Sequence, residues 1–529
     1  MEKHKGLDAI VVGGGPAGSC LAGTLASLGL KVLVLEGKKF PRDHIGESLL
    51  AMSMPYLKEL GIIPKLEAEG FPKKTGAVFV WGKSKKKLDL FMNSSSPGYA
   101  YQVIRSRFDE MLLEHARELG ANVIFDCWAR EPILNENGRI IGLRIQMNDG
   151  NNQEIYAKYV IDASGLAQFL PKKLKLPIHI DGHKRIALTS YFEGAQRLES
   201  PHENNIISEV SKDGWLWYIP LNDKLTSVGF VGDAIDITTD PNEMLRSQIC
   251  STSLVKEKLG NSTLIRDVKL LKYTNHIVDA PLWKDGYVLI GDTAIFVDPL
   301  FSTGVHGAIY SASLAASALA SVISGEITEQ EAAEWYQDHV QRHYLRVNHT
   351  VKMLYRIHPG KSRFWSTRNS FDIGEEDAEQ IVSSLGVSGL TFFINTYRDG
   401  VLELPPAIVK LIDEFVLPSN EIQEIKEEEI LVLNSEMEKV YRPIIYKKKL
   451  VPGLTIQHKR NRTLSVEMSL QSSHYKIISS IDGTKSAKEI YELIEEDMSE
   501  MERNKFYVYL GSLKQLGVLH EYKNTFSCV

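Results

Sequence analysis

The sequence predicts an α/β fold with an inserted β-sheet region and a helical C-terminal part. Three observations carry that prediction. The first 36 residues read as strand, glycine loop, helix and strand. Buried-strand patterns return far downstream, at Val160–Ile161 and at Tyr287–Gly291. Between them, and again near the C-terminal end, alternating apolar residues and turn signals mark separate β-rich segments.

In chain order, Asp8–Val12 is a short apolar run that stops at glycines. Ala17–Leu28 is rich in helix formers, and Lys31–Leu35 alternates towards a second buried strand, which completes a βαβ opening. Arg107–Leu119 has helical spacing through Phe108, Met111, Leu112 and Ala116, and Asn122–Phe125 follows as a strand. Asn137-Gly138 and Asn148-Asp149-Gly150 are hairpin turns beside strands near Ile140–Met147 and Glu154–Ile161, a three-strand meander. Ile186–Phe192, Trp215–Leu221 and Thr226–Val231 are the strands of the inserted sheet. The apolar stretch Gly307–Ile323, interrupted by Tyr310, Ser311 and Ser313, predicts a buried helix rather than a membrane span. Residues 328–437 are a charged helical pattern ending in the acidic run Glu421–Glu429, a solvated face or linker. After Pro443 and Pro452, strands near Leu454–His458 and Thr463–Met468, helices Ser486–Glu496 and Glu502–Gln515, and a last strand near Gly517–Tyr522 form a compact pattern. Three regions are therefore expected, 1–327, 328–437 and 438–529, in keeping with a length beyond one hydrophobic core.

Composition narrows the function classes. With 43% hydrophobic and 24% charged residues the chain is ordinary globular material, and its net charge of −6 supplies no field for nucleic acid or an anionic membrane. Cys20, Cys127, Cys250 and Cys528 are scattered and form no C-x-x-C, so no metal site and no redox disulfide is expected. That scatter, and an N-terminus too polar for a signal peptide, predict a cytoplasmic location.

Gly13-Gly14-Gly15-Pro16-Ala17-Gly18 fits G-x-G-x-x-G after a strand and at the start of a helix, and Glu36 ends the next strand. This is the Rossmann-type dinucleotide fingerprint. Gly13 permits the tight turn, Gly15 lets backbone approach a pyrophosphate, and Gly18 lets helix and strand pack closely. Pro16 starts the helix without an N–H of its own, and the N–H groups from Ala17 on favour the phosphates. Glu36 can accept both ribose hydroxyls. Asp162-Ala163-Ser164-Gly165 and Gly291-Asp292-Thr293-Ala294, each after a buried strand, resemble the two later FAD motifs of flavoproteins built like p-hydroxybenzoate hydroxylase. The resemblance implies FAD, with Asp292 on its ribityl chain and Arg105 in Val103-Ile104-Arg105 as a flavin contact. Asp162-Ala163 departs from the D-G pattern that serves NADPH in the hydroxylases. With one Gly-rich βαβ unit in the sequence, a pyridine nucleotide is expected only as a visitor.

Four further motifs, in family order, resemble the flavin-dependent halogenases. Gly214-Trp215-Leu216-Trp217-Tyr218-Ile219-Pro220 is G-W-x-W-x-I-P, and Gly46-Glu47-Ser48 resembles the flavin-side loop shared with geranylgeranyl reductases. Phe71–Gly82 looks like the segment with the essential lysine, and Asp298-Pro299-Leu300-Phe301-Ser302-Thr303-Gly304-Val305-His306 like the chloride loop. The resemblance implies reduced FAD supplied by a separate reductase, O₂, and chloride or bromide, which together yield hypohalous acid. It places Gly46, Ser48, Gly304 and Val305 beside the flavin and halide at Thr303 and Gly304. Neighbours on an extended segment face opposite ways, so only one of Lys73 and Lys74 can face a pocket, and the family spacing K-x-G-A selects Lys74 as catalytic. Its ammonium can hydrogen-bond hypochlorous acid, or its neutral amine can be chlorinated.

Trp215 and Trp217 share one strand face. They suit a wall that keeps substrate off the flavin, and two indoles also suit plain core packing. Thr303 likewise suits an ordinary helix start as well as an anion nest. Phe301 stands where tryptophan halogenases carry a glutamate, so the resemblance points to the branch acting on phenols and pyrroles. His44 and His306 are possible bases. The C-terminal pattern from Tyr475 resembles a PqqD-like winged helix, which implies capture of a carrier or leader peptide on a strand edge. The substrate is thus expected to be an electron-rich aromatic molecule, free or tethered. The alternatives are a flavin monooxygenase or geranylgeranyl-reductase-like enzyme, and a non-catalytic carrier- or peptide-binding flavoprotein.

Overall fold

Leu7–Val12, buried at every position, is the centre of a parallel sheet. Val32–Glu36 pairs on one side and Asn152–Asp162 on the other. The order across the sheet is Trp283–Lys284, Tyr287–Leu289, Asn152–Asp162, Leu7–Val12, Val32–Glu36, Asn122–Phe125. Strands buried on both faces read as continuous apolar runs, which is why Ala9-Ile10-Val11-Val12 and Val32–Leu35 stood out. Helix Pro16–Ser27 makes the crossover and packs against helix Arg105–Glu118. Order reverses at Leu7–Val12, so the carboxyl ends of the central strands open the crevice in which such sheets take ligands. The meander is present as Cys127–Leu134, Ile140–Met147 and the first half of Asn152–Asp162, whose second half enters the parallel sheet.

The computed structural model describes residues 6–81, 84–88, 98–234, 240–356, 361–367, 424–446, 449–459, 465–470, 472–494, 503–515 and 517–522. The predicted helical region between 368 and 423, and Cys528, lie outside the described residues.

The inserted sheet runs in the order Ile295–Phe296, Lys269–Val278, Ile178–Glu193, Leu225–Asp233, Gly214–Pro220, Ile206–Ser211, Ala77–Trp81, Ser84–Leu88. Ile206–Ser211 and Ala77–Trp81 were not foreseen as its members. Their parallel pairing joins segments far apart in sequence, which local periodicity does not encode. One face of this sheet is core: Val78, Ile207, Leu216, Tyr218, Val228 and Phe230 pack with Met244, Leu245 and Ile249 of helix Pro241–Cys250. Glu209 is buried on that face and accepts from the backbone N–H groups of Ser253, Leu254 and Val255 at 2.7, 3.1 and 2.7 Å. A carboxylate at a helix start satisfies donors that would otherwise be orphaned. Residues one step out of phase, including Phe79, Ser208, Trp215, Trp217 and Gly229, lie on the opposite face.

Contacts divide the chain into two compact units, Met1–Ala320 with Ala333–Ile408, and Ser321–Ala332 with Val409–Val529. The second unit begins before the expected residue 438, because Leu431–Leu433 pairs with Leu519–Glu521 near the opposite end of that unit. Within it, Met437–Tyr446, Lys449–His458 and Ser465–Ser469 form an antiparallel sheet over helices Ser473–Ser480, Ala487–Ile494 and Arg503–Gln515. Leu454, Ile456, Ile477, Ile490, Phe506 and Leu510 fill its core. Pro443 and Pro452, after which the compact pattern is expected to begin, face each other inside its first hairpin instead. Proline is tolerated in a strand where no ladder bond needs its nitrogen. Helix Thr303–Ile323 starts four residues earlier than expected and is long and apolar enough for a membrane span by composition, but 72% of that window is buried inside the protein.

Candidate active site

The crevice at the end of Leu7–Val12 has the shape the glycines predict. Gly13 has φ +105°, and a Cβ there would lie 2.6 Å from the Ala163 carbonyl oxygen; a Cβ on Gly18 would lie 1.9 Å from the Gly13 oxygen. The turn therefore wraps tightly against the Asp162–Gly165 loop, where Asp162 accepts from Ser164 and Leu170 N–H at 2.9 and 2.6 Å. Gly15 caps helix Pro16–Ser27 without a side-chain bond to its first N–H groups. Glu36 is buried and oriented by the N–H groups of Gly14 and Lys38, at 2.8 and 2.9 Å. Arg42 Nη2 lies 3.6 Å from Glu36 and 3.5 Å from the Cβ position of Gly15, and its buried Nε has no partner among the described residues. An open helix start, a cation with a spare donor and a fixed carboxylate fit the pyrophosphate and ribose of a dinucleotide.

The next group lies at the start of helix Arg105–Glu118. Arg105 donates two hydrogen bonds to the Asp109 carboxylate, from Nε at 2.7 Å and Nη2 at 2.9 Å, and its Nη1 donates to the Ile45 carbonyl. Burial works against the Arg105 charge, and the carboxylates around it, Asp109 with Glu47 and Asp292, together more than offset it. Gly46 has φ +104°; a Cβ there would sit 2.8 Å from Arg105 Nη1 and 3.2 Å from a Val305 methyl. Gly46, Arg105 and Val305, distant in sequence, thus meet. Asp292 joins them electrostatically: burial pushes its carboxyl up to about 7, against the pull of Arg105.

Beside this group the strand Lys73–Lys74 turns one lysine each way. Lys73 is exposed and pairs with Glu67 at 2.9 Å. Lys74 is 2% exposed, and its Nζ donates to Ser48 Oγ at 2.6 Å. Burial lowers its pKa to about 7. Asn205, unnoticed in the sequence, fixes the following turn by accepting from Thr75 and Gly76 N–H at 2.9 and 2.8 Å.

Trp215 and Trp217 are both buried, with ring centroids 6.2 Å apart. Trp217 Nε1 donates to Ser227 Oγ at 3.2 Å, and Ser227 also bonds the buried Glu47 carboxyl, whose pKa burial raises. Tyr191 Oη donates to Glu47 at 2.7 Å. Trp217 is therefore linked through Ser227 to the loop that carries Ser48. Phe301 stacks at a tilt on Phe79, 5.8 Å between centroids. Asp298 caps the turn Pro299–Phe301, Ser302 takes φ +58°, and Thr303 opens the long helix. Thr303 is buried, while Gly304 is exposed and would meet nothing within 4 Å of an added Cβ.

The family profile described as tryptophan halogenase matches residues 8–94 and 84–387. The chain belongs to this family of flavin-dependent halogenases. It is 31% identical over 422 residues to a tryptophan 2-halogenase of Chondromyces crocatus, covering 76% of this chain and 79% of that one. The myxobacterial chondrochloren halogenase CndH is 33% identical with TM-score 0.66, over 78% of this chain and 98% of that chain. The flavin-dependent halogenase CmlS, 23% identical, shares the fold over 98% of this chain and 96% of its own with TM-score 0.72.

The halogenase is an oxidoreductase that uses FAD, halide and O₂. Its two suggested histidines sit in different settings. His306 is buried, its Nδ1 is 3.1 Å from Ser53 Oγ, and burial beside His343 pushes its pKa down to about 3, so the imidazole is neutral. His44 is exposed with Nδ1 3.0 Å from the Ile45 oxygen. Sequence reasoning missed Arg42, Asn205, Arg185 and Tyr355. Asp298-Pro299 carried a helix-start signal that could have marked the cap. Tyr355 carried none, since its partner Trp215 lies 140 residues away.

Proposed function

We propose that the halogenase installs chlorine or bromine on an electron-rich ring, a phenol or a pyrrole rather than free tryptophan. The carrying observation is Lys74: a buried amine, alone of the lysine pair in facing inward, on the flavin-side Ser48. Reduced FAD, with O₂ and halide, supplies hypohalous acid in this family. Gly13, Gly15, Pro16, Ala17, Gly18, Glu36 and Arg42 would hold the adenosine and pyrophosphate side of FAD. Gly46, Ser48, Arg105, Asp292 and Val305 would hold the flavin side, and the N–H groups of Thr303 and Gly304 the halide. The Lys74 ammonium donates a hydrogen bond to hypohalous oxygen, which makes the halogen more electrophilic. Trp215 and Trp217 exclude the organic substrate from the flavin.

The substrate class follows from Phe301 against Phe79, an apolar contact at a position where a glutamate would serve an indole. A phenol is activated by its own hydroxyl. The halogenase PltM, 18% identical with TM-score 0.58 over 77% of this chain, is described in complex with phloroglucinol and FAD, which supports a hydroxylated ring. Electrons would come from a flavin reductase in trans. The second unit would grip a carrier or leader peptide on the edge of strand Met437–Tyr446, where Tyr441 and Ile445 are exposed.

The test is incubation with FAD, a separate reductase, NADH, chloride and a panel of phenols and pyrroles, read by mass spectrometry. A chlorine isotope pattern that requires chloride is expected. Oxygen insertion with or without halide, driven by NADPH and no reductase, would overturn the reading in favour of a monooxygenase.

A further inference from the structure

We infer that Tyr355 is a positioning residue for the halide loop, acting through Asp298 and not on any reactant. The inference rests on the reading that halide is held at Thr303 and Gly304. Four buried side chains carry it. Trp215 Nε1 donates to Tyr355 Oη at 2.7 Å. Arg185 Nη1 donates to the same oxygen at 3.1 Å, and Tyr355 Oη donates to Asp298 Oδ1 at 3.1 Å. Arg185 Nη1 also pairs with Asp298 Oδ2, and its guanidinium lies 4.8 Å above the Tyr355 ring. The phenol oxygen thus uses its one hydrogen and both lone pairs inside the protein.

Asp298 passes this constraint to the loop. Its Oδ1 accepts from Leu300 N–H at 3.1 Å and so caps the turn Pro299–Phe301. The next residue, Ser302, is held at φ +58°, a left-handed conformation that a residue with a side chain keeps only when its surroundings impose it. The N–H groups of Thr303 and Gly304 take their direction from that bend. Charge matters as well. An unpaired carboxylate five residues before Thr303 would repel an anion, and Arg185 cancels it. The Tyr355 hydroxyl keeps both groups in register and ties them to the indole wall. It comes from helix Glu329–Arg356, beyond the core segment 1–327 that the sequence suggested.

Tyr355→Phe removes the hydroxyl and keeps the ring, with its packing on Trp81 and Phe364 at 6.4 and 5.9 Å. The holoenzyme would be assayed with supplied reduced FAD, O₂ and bromide or chloride over a wide concentration range. The halide KM is expected to rise at least fivefold, with kcat at saturating halide within about threefold of wild type and FAD Kd within about twofold. A purely structural role predicts a lower Tm with the halide KM unchanged, and that result overturns the inference. Should Tyr355→Phe not fold, Trp215→Phe removes one bond to the same hydroxyl; a raised halide KM supports the inference, and an unchanged one overturns it. Wild-type enzyme without saturable halide dependence overturns the underlying reading and the inference with it, whereas saturable wild type with an unmoved Tyr355→Phe overturns the inference alone.

Discussion

Lys74 Nζ donates to Ser48 Oγ at 2.6 Å, from a position 26 residues away in sequence and out of contact with solvent. Burial strips water from the ammonium, so the amine is poised between its charged and neutral forms near physiological pH. Lys74→Ala is expected to lower halogenation by about two to four orders of magnitude, the range of positioned acid–base groups, while FAD still binds and reduced flavin still consumes O₂. Product yield against oxygen uptake measures both. Wild-type rates in Lys74→Ala with loss in Lys73→Ala would assign the role to the other lysine.

The pH profile separates the two roles of that amine. An ammonium donor loses activity as pH rises through about 7, and a neutral amine gains it. Single-turnover rates with preformed reduced FAD and saturating halide are expected to fall above pH 7. A limb that rises there would favour the chlorinated amine.

Stability gives an independent sign. The folded pKa of Lys74, about 7, is below its ordinary 10.5. The unfolded chain therefore binds the proton more tightly. The burial penalty is full below about pH 7, fades between 7 and 10.5 and is gone above; a shift of this size is worth about 5 kcal/mol at most. Lys74→Met is expected to raise Tm at pH 6 and to raise it less at pH 9.5. An equal change at both values would mean that Lys74 stays charged when folded.

Gly46→Ala should cost FAD affinity. It combines φ +104° with a Cβ 2.8 Å from Arg105 Nη1. Flavin fluorescence titration should show at least a tenfold higher Kd. Gly138→Ala, with φ +78° and open space around it, carries the backbone strain alone and should leave FAD binding unchanged.

The wall can be disturbed without touching an indole. A Cβ on Gly229 would fall 2.1 Å from a Trp217 ring carbon and 2.5 Å from the Leu188 oxygen. Gly229→Ala must displace Trp217, at a cost of about 1–3 kcal/mol. Halogenation is expected to drop tenfold or more while hydrogen peroxide release rises, followed by peroxide assay and tryptophan fluorescence. Unchanged partition between the two products would reduce the indoles to core filling.

The local structure around the candidate site was legible in the sequence. The βαβ opening, the glycine turn, the acidic end of the second strand and the rule that only one of Lys73 and Lys74 faces inward all follow from short-range periodicity and sterics, which act within a few residues, whereas the choice of Lys74 rested on the family spacing. Family motifs added Gly46–Ser48 and Asp298–His306 as the candidate flavin and halide loops. What only tertiary structure decided is which of these pieces touch. Gly46, Arg105 and Val305 share one contact, Trp217 reaches Glu47 through Ser227, and Tyr355 joins Trp215 to Asp298. The parallel pairing of Ala77–Trp81 with Ile206–Ser211, and of Leu431–Leu433 with Leu519–Glu521, belongs to the same class. Such contacts arise because burying both sheet faces and satisfying every buried polar group is a condition on the whole chain. No window of sequence contains the partners, so no window could name them.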